Sequence, residues 1–421
     1  MEYNRPHATA NYGMMATDIE QGVDFPRLRE ERLKKAQAAL KDAGLGAILS
    51  FNFDNIRYIT GTHIGEWCRD KWMRYTLCGT EGAPFLWDPA AAYKRLHCPW
   101  IPAERIGAVV TNMSGGLPPS FGVQADFVKQ IKDAMAELGV ENKPLGVDMM
   151  ELSMLRALEK EGIEPVDGQQ AMLNAREVKT PDEIELLKQA AGMVDAVYED
   201  IARAIRPGTK EHELVALANY KMYMMGAERV ECINSITGAR GKPHAHTFLD
   251  RMIQPGDMIF LDLMHSFNGY HTCYYRTFIC GKPNKYQIEA YEKASKWLSD
   301  ALDVIKPGVS TADIVSAFPP AEEFGFPNEA EALFLQFGHG LGLSLHERPI
   351  LSRRFCLEHP SEIKEGMVFA AETWCASEDG SGSARIEEEV VVTKGGCEII
   401  TNYPSDHLIS CGLPGCEVYM S

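Results

Sequence analysis

The stretch MIFLDLMHSFNGYHTCYYRTF, residues 258–278, contains the residues that decide the fold of this chain. Asp262 lies inside the apolar run IFLDLM, and Cys273 follows eleven residues later in GYHTCYYRT. An ionised carboxylate inside an apolar strand is costly unless it is paired or binds a metal ion. We therefore expect strands in this region and a charged or metallic partner for Asp262.

Three more polar residues stand in apolar or glycine-rich surroundings further along the chain. His339 lies in FGHGLG, Glu372 in VFAAET and Glu387 in ARIEEEVVVT. Three carboxylates and one imidazole are hard donors that suit manganese, iron, cobalt or zinc. Together these residues indicate a metal site that is assembled from distant parts of the chain.

The order of these residues resembles the dinuclear metal site of the aminopeptidase P, methionine aminopeptidase and creatinase superfamily, the pita-bread enzymes. That family has Asp, Asp, His, Glu, Glu, and Cys273 stands where the second Asp, which bridges both metals, is expected. The resemblance implies that Asp262 would hold only the second metal and that His339, Glu372 and Glu387 would hold the first. It implies one divalent ion, iron, zinc or manganese, rather than a full dinuclear site.

Cys273 has two interpretations. As a thiolate it would be a fifth metal ligand, and sulfur favours zinc or iron. Alternatively it is a small buried residue in a site that binds no metal. Creatinase, a metal-free member of the resembled family, has a similar strand with alanine at this position.

Composition narrows the class of protein. The chain has 421 residues, which suggests two domains, and 45% hydrophobic residues, which is ordinary for a globular protein. Its net charge of −17 argues against a nucleic-acid partner or an anionic membrane. No segment approaches the ~18 apolar residues of a spanning helix. The N-terminus lacks the pattern of a signal peptide, and the eleven scattered cysteines form no CxxC pair, so we expect reduced thiols in the cytoplasm.

The predicted elements give an α+β fold. Residues 26–44 indicate a helix, GAILSF a buried strand, and NIRYITG a turn of the type N-x-R-Y-x-T-G. Helices and strands alternate up to the sequence AREVKTPDEIELL, where Thr180, Pro181 and Glu183 form a capping-box pattern at the start of a long helix. We expect an N-terminal arm (1–25), a smaller domain (26–174) and a catalytic domain (175–421). The resemblance implies a creatinase-like α/β fold for the smaller domain and a pita-bread fold for the catalytic domain.

Histidines near neutral pKa are candidates for proton transfer. The resembled family has a histidine on a loop before the first Asp strand, and ARGKPHAHTF offers His244 and His246 there. His346, in LSLHERP, matches a second family histidine that orients substrate. We predict that His346 and one of the two loop histidines act with Glu372 and Glu387 in catalysis. The sequence does not decide between His244 and His246 for this role.

Substrate-binding candidates lie in both domains. Tryptophan faces hold quaternary ammonium or sulfonium groups by cation–π attraction, and arginine pairs with carboxylates. Each candidate also has a purely structural interpretation, such as core packing or a salt bridge. The candidates are Trp67, Trp72, Arg74, His271, Tyr275 and Arg348.

Four functions are compatible with these patterns. The first is hydrolysis of a C–N bond in a small zwitterionic substrate by a creatinase-like enzyme. The second is a lyase, because NIRYIT, the pair Trp87–Asp88 and NYPSDHLIS resemble dimethylsulfoniopropionate lyases of this fold. The third is an Xaa-Pro dipeptidase, and the fourth is a binding scaffold without catalysis. The resemblance also implies a homodimer.

Overall fold

The computed structural model describes residues 22–63, 72–111, 117–242, 245–332 and 336–412. Most of the predicted arm (1–25) lies outside these residues. The N-terminal half is built on a mixed six-stranded sheet with the strand order β4-β3-β2-β1-β5-β6. Its strands are β1 (Ala47–Ser50), β2 (Tyr75–Gly79), β3 (Phe85–Trp87), β4 (Ile106–Gly107), β5 (Leu145–Val147) and β6 (Val166–Asp167).

Helices cover this sheet, and the first one is predicted correctly by its apolar spacing. Its N-cap Asp24 accepts a hydrogen bond from the backbone N–H of Arg27, and the face with Leu28, Ala36 and Leu40 is buried. The helices of this half are α1 (Phe25–Asp42), α2 (Phe53–Thr60), α3 (Ala91–His97), α4 (Val123–Glu137), α5 (Leu152–Lys160) and α6 (Gln169–Glu177).

The segment NIRYIT forms helix α2, so the predicted turn is wrong for these residues. The Asn52 side chain accepts hydrogen bonds from the backbone N–H groups of Asp54 and Asn55 and caps the helix. Gly61, with φ of 65°, ends it in the left-handed conformation that glycine adopts without steric cost. The polar residues and glycine that predicted a turn instead lie at the two ends of a short helix.

A short connection joins the two halves. The predicted boundary at residue 174 falls inside α6, and helix α7 (Pro181–Ala204) begins with the predicted capping box of Thr180 and Glu183. Between the two helices the backbone N–H of Lys179 donates to Gly366, and its buried ammonium lies 3.1 Å from Glu347. The connection is therefore bonded to the C-terminal half, which begins at Pro181, corresponds to the predicted catalytic domain and is called the catalytic half below.

The catalytic half contains two further sheets. A five-stranded sheet has the order β11-β10-β12-β13-β14, and a four-stranded sheet has the order β15-β9-β8-β7. The strands are β7 (Arg229–Thr237), β8 (Met258–Phe267), β9 (Tyr270–Cys280), β10 (Gly338–Gly340), β11 (Glu347–Leu351), β12 (Val368–Ala376), β13 (Ser383–Thr393), β14 (Gly396–Ile399) and β15 (Ile409–Cys411).

Helices pack against the outer faces of these two sheets. They are α7, α8 (Glu211–Met225), α9 (Lys285–Val304), α10 (Thr311–Ser316) and α11 (Arg353–Cys356). Short 3₁₀ segments are Ala103–Arg105, Pro119–Phe121, Gly238–Gly241 and Ala321–Phe324. The predicted α+β class is confirmed. Within the described ranges, no helix combines the length and apolar character needed to cross a bilayer.

The inner faces of the two sheets meet where β13 packs on β9. Arg276 of β9 crosses this contact, and its guanidinium lies 2.9 Å from Glu388 of β13 and donates to the carbonyl of Tyr403. Because this ion pair is buried and its guanidinium also donates to a backbone carbonyl, it holds β9 and β13 in a defined position relative to each other.

We expect Thr180→Ala to lower the free energy of unfolding by about 1 kcal/mol, because it removes the side chain that caps α7. Urea denaturation of the full chain measures this change. The control is Ser299→Ala at an exposed position of α9, which should change stability by less than about 0.5 kcal/mol. Equal effects of the two substitutions would contradict the role of the capping box.

Candidate metal centre and active site

Three buried carboxylates meet between the two sheets of the catalytic half. Asp262 comes from β8, Glu372 from β12 and Glu387 from β13, and none is more than 6% exposed. We call these three residues the acid cluster. His339 of β10 and Cys273 of β9, both buried, lie beside it. All five residues of the predicted metal set are therefore in one region.

Glu372 and Glu387 stand directly opposite each other on the paired strands β12 and β13. Like charges in this position repel and destabilise a sheet. Arg385, on the same face of β13 as Glu387, donates a hydrogen bond to Glu372 and lies over the Tyr275 ring with 3.8 Å between Cζ and the ring centroid. The guanidinium of Arg385 thus forms an ion pair with one of the two glutamates, Glu372.

Neither carboxylate oxygen of Glu387 has a hydrogen-bond partner in the described part of the protein, although the residue is fully buried. Such a group is strongly unfavourable without a partner. One ligand atom each from Cys273, His339 and Glu387 lie within 4.8 Å of one another. The orphaned oxygens and the convergent sulfur, nitrogen and oxygen donors fit a divalent metal ion.

The electrostatics of the acid cluster also call for a cation. Burial raises the pKa of Asp262 to about 6, although Arg385 opposes the shift. Burial, with repulsion from Glu372 and Asp262, raises the pKa of Glu387. Asp262 accepts hydrogen bonds from the Cys273 thiol at 3.4 Å and from Asn234 at 3.3 Å. A bound cation would therefore favour the ionised form of these carboxylates, which burial disfavours.

The rings of His339 and His346 lie in contact, with their centroids 4.2 Å apart and their planes tilted by 40°. Burial, together with the neighbouring His346, lowers the pKa of His339 to about 3, so its imidazole is neutral and offers a lone pair. Burial also lowers the pKa values of His346 and His246, and Glu372 opposes both shifts. Both side chains thus interact with the acid cluster and are suited to accept a proton.

The arrangement is that of a known family. The sequence model of the creatinase/prolidase N-terminal domain matches residues 32–178, and that of metallopeptidase family M24 matches residues 185–394. The chain belongs to the M24 pita-bread superfamily. The predicted family and pita-bread architecture are thereby confirmed.

Individual relatives of this M24 chain have different activities. It is 27% identical to the dimethylsulfoniopropionate lyase DddP of Roseovarius nubinhibens, over 94% of this chain and 90% of the relative. It is 30% identical to the Xaa-Pro dipeptidase of Pyrococcus furiosus, over 54% of this chain and 63% of the relative. The solved structure of an Xaa-Pro dipeptidase from Bacillus anthracis superposes with a TM-score of 0.71, 25% identity, and coverage of 91% of this chain and 99% of that one. M24 relatives therefore support an enzyme, and both hydrolases of peptide C–N bonds and a lyase are among them.

Two predicted substrate-binding residues of the M24 chain have structural roles in the N-terminal half. Arg74 is buried, with its Nε 2.8 Å from Asp88, and burial lowers its pKa to about 10. Trp72 packs edge-on against Phe51 with 5.6 Å between ring centroids. The structure therefore places neither beside the acid cluster.

The remaining candidates are divided. Tyr275 lies under Arg385 at the acid cluster, and His271 lies on the same face of β9 as Cys273. The Arg348 guanidinium instead donates to Asn174 and Gln170 of α6, away from the cluster. Trp67 and His244 lie outside the described residues.

Sequence reasoning missed Arg385 and Asn234. Arg385 stands two residues before Glu387 in ARIE, so strand periodicity places both side chains on one face. That spacing was the available signal. Asn234 of β7 is paired with Asp262 across the sheet, and only the strand register reveals it.

We expect divalent metal to stabilise this M24 protein more at pH 7.5 than at pH 5. The folded-state pKa of Asp262, about 6, is above its unfolded value of about 3.9. The metal-free protein is therefore destabilised as pH rises through this window, because a buried carboxylate must ionise, and a cation removes that penalty. Thermal unfolding with and without zinc at the two pH values measures the effect. In Asp262→Asn the zinc-induced shift of the melting temperature should depend less on pH. A zinc-induced shift that is equal at both pH values would contradict this.

We expect Arg74→Gln to destabilise the fold by roughly 3–5 kcal/mol, because it leaves Asp88 buried without its charged partner. Denaturant unfolding measures the change. The double variant Arg74→Met with Asp88→Leu should recover much of the loss. Unchanged stability with weakened substrate binding would instead support the predicted role of Arg74 in recognition.

Proposed function

We propose that this protein is a hydrolase of a C–N bond in a small zwitterionic substrate and that it uses a single divalent metal ion. The observation that carries the proposal is the charge of the acid cluster, in which three buried carboxylates face one guanidinium. The formal charge of −2 is the charge that one divalent ion neutralises. Cys273 would bind as a thiolate, and it offers one donor atom where the resembled family has a carboxylate with two oxygens, so fewer donors remain for a second ion.

Cys273, His339 and Glu387 would hold the ion, because their donor atoms already converge. Iron or zinc suits this set better than manganese, since sulfur is a soft donor. In the metal-free protein the Cys273 thiol donates a hydrogen bond to Asp262, which holds the sulfur beside the other two donors until the thiol ionises on metal binding. When bound, a divalent ion supplies Lewis-acid chemistry that polarises a carbonyl group toward attack by water.

Glu372 and the two histidines would handle protons. Arg385 fixes one carboxylate oxygen of Glu372, which leaves the other to orient a water molecule. His246 and His346, neutral at physiological pH, would accept and return a proton at a ring nitrogen. His244, two residues from His246, stays the alternative to it. Tyr275 and Arg385 would bound the site on the side of β9 and β13.

A lyase is the second candidate, and the similarity to DddP over nearly the whole chain favours it. An elimination would use the same histidines to remove a proton next to a substrate carboxylate. The two reactions differ by one molecule of water, because hydrolysis adds it to the products and elimination does not. We further propose a cytoplasmic homodimer, and the nine described cysteines, which are all free thiols, are compatible with that compartment.

We expect about one metal ion per chain in protein purified without added metal or chelator, and none in His339→Ala. Cobalt substitution should give a sulfur-to-cobalt charge-transfer absorption that disappears in Cys273→Ser. Cys273→Asp should raise the stoichiometry to about two, because it restores a fourth carboxylate. Two ions in the unmodified protein, or a charge-transfer band that survives Cys273→Ser, would contradict the single thiolate-ligated ion.

The reaction class is tested by incubation of the metal-loaded enzyme with betaine-like amides, creatine, Xaa-Pro dipeptides and dimethylsulfoniopropionate in ¹⁸O-labelled water. Hydrolysis predicts one ¹⁸O atom in a product, and elimination predicts an unlabelled alkene. Glu372→Gln should lower kcat at least about a hundredfold while substrate still binds, a loss typical for a proton-transfer group. An alkene product would favour the lyase, and no turnover with any class, with His339→Ala indistinguishable from wild type, would favour the scaffold.

A further inference from the structure

A cavity of about 360 Å³ lies between the N-terminal half and the catalytic half. Small-molecule pockets occupy ~300–1,000 Å³, so this one suits a compact ligand. We call it the interdomain cavity. Among the residues that line it are Asp54, Arg57 and His63 from the N-terminal half and Glu228, Glu231 and His271 from the catalytic half.

The interdomain cavity adjoins the candidate metal centre. His271 and Cys273 lie two residues apart on one face of β9, a separation of about 7 Å along a strand. Leu345, which also lines the cavity, precedes His346, whose ring centroid lies 4.2 Å from that of His339. A molecule in the cavity therefore lies next to residues that would hold the metal.

The two glutamates in the cavity wall are already neutralised. Glu228 lies 2.7 Å from both Arg57 Nη1 and His63 Nε2, and Glu231 lies 3.1 Å from His271 Nε2 and is also paired with Arg229. Although burial opposes ionisation, the bonds from His271 and Arg229 lower the pKa of Glu231 to about 2. These ion pairs fix the shape of the wall, and little of their charge is available to a ligand.

A glycine makes one of these pairs possible. A Cβ atom at Gly269, in the β8–β9 turn with φ of 88°, would lie 2.5 Å from the Arg57 guanidinium carbon. The absence of a side chain at Gly269 therefore lets the Arg57 guanidinium of the N-terminal half pack against the β8–β9 turn. Arg57 forms this side of the cavity wall.

Asp54 differs from the two glutamates. Within the described ranges the hydrogen-bond donor to its carboxylate is the hydroxyl of Ser344, which has no charge, and Arg176 lies on the far side of that hydroxyl. Both arginines and both histidines of the wall are paired with Glu228 or Glu231, so among the described lining residues Asp54 is the carboxylate without such a partner. In a partly desolvated cavity an uncompensated negative charge favours a cationic group.

We propose that the interdomain cavity binds the cationic group of a compact zwitterionic substrate and that Asp54 is the counter-charge, while the reacting end extends to the acid cluster. This inference rests on the proposed function and names its recognition residue. It assigns the choice of substrate to the N-terminal half of the same chain. A dianion of similar size would be repelled.

The test uses glycine betaine as a compact zwitterion that carries its positive charge on three methyl groups. Saturation-transfer NMR titration of the full chain, metal-free and zinc-loaded, gives its Kd. We expect a Kd at least about tenfold weaker in Asp54→Asn, which equals ~1.4 kcal/mol. Asp42→Asn, at an exposed position of α1, should bind like wild type, and malonate, tested on the metal-free protein because it would itself bind zinc, should not compete.

Two comparisons keep the outcome interpretable. Asp54→Glu retains the charge and should keep most of the affinity, so a loss in Asp54→Asn that Asp54→Glu shares would indicate altered folding and overturn the electrostatic role. No binding of betaine to wild type, equal Kd in Asp54→Asn, or competition by malonate would also overturn the proposal. Asp54-dependent binding to metal-free protein without any turnover would leave this inference standing and defeat the proposed hydrolysis.

Discussion

The catalytic half is organised by one electrostatic conflict, the two glutamates that face each other across β12 and β13 in a buried sheet. Two opposed anions in a low-dielectric site repel strongly and are retained only where positive charge lies between them. Arg385 supplies one such charge through its bond to Glu372. The unpartnered oxygens of Glu387 define the place of the other, and the imidazole and thiol beside them are the residues that would share it.

Replacement of one carboxylate by a thiol explains why this arrangement need not follow the full family pattern. In the metal-free protein the Cys273 thiol donates to Asp262 and is neutral, whereas a metal ion would displace this proton and bind the thiolate. One sulfur atom then stands where a carboxylate would offer two oxygens, and this smaller number of donors favours one metal ion over two. The neighbouring Glu389, whose pKa burial raises to about 8, adds little negative charge to the site near neutral pH.

Local signals in the sequence were sufficient for the helices and the family, because caps and periodicity act over a few residues. The capping box at Thr180 is one example. The resemblance to a known family brought together the five candidate metal ligands, since each stands at a position of the family's metal-site pattern. Neither source could predict that Arg385 pairs with Glu372, or that Arg74 pairs with Asp88, because these partners depend on strand register and on contacts between distant segments. The turn predicted for NIRYIT was wrong for a related reason, since capping residues at both ends of a short helix have the composition of a turn.

The connection between the halves has a consequence for how molecules are selected. Lys179 is fastened through its backbone to Gly366 and through its ammonium to Glu347, and α6 and α7 leave only three residues between them. A connection this short, bonded to the C-terminal half at Lys179, limits relative movement of the two halves. The width of the interdomain cavity is then set by the side chains of its wall, and acceptance of a larger ligand would require substitutions among them.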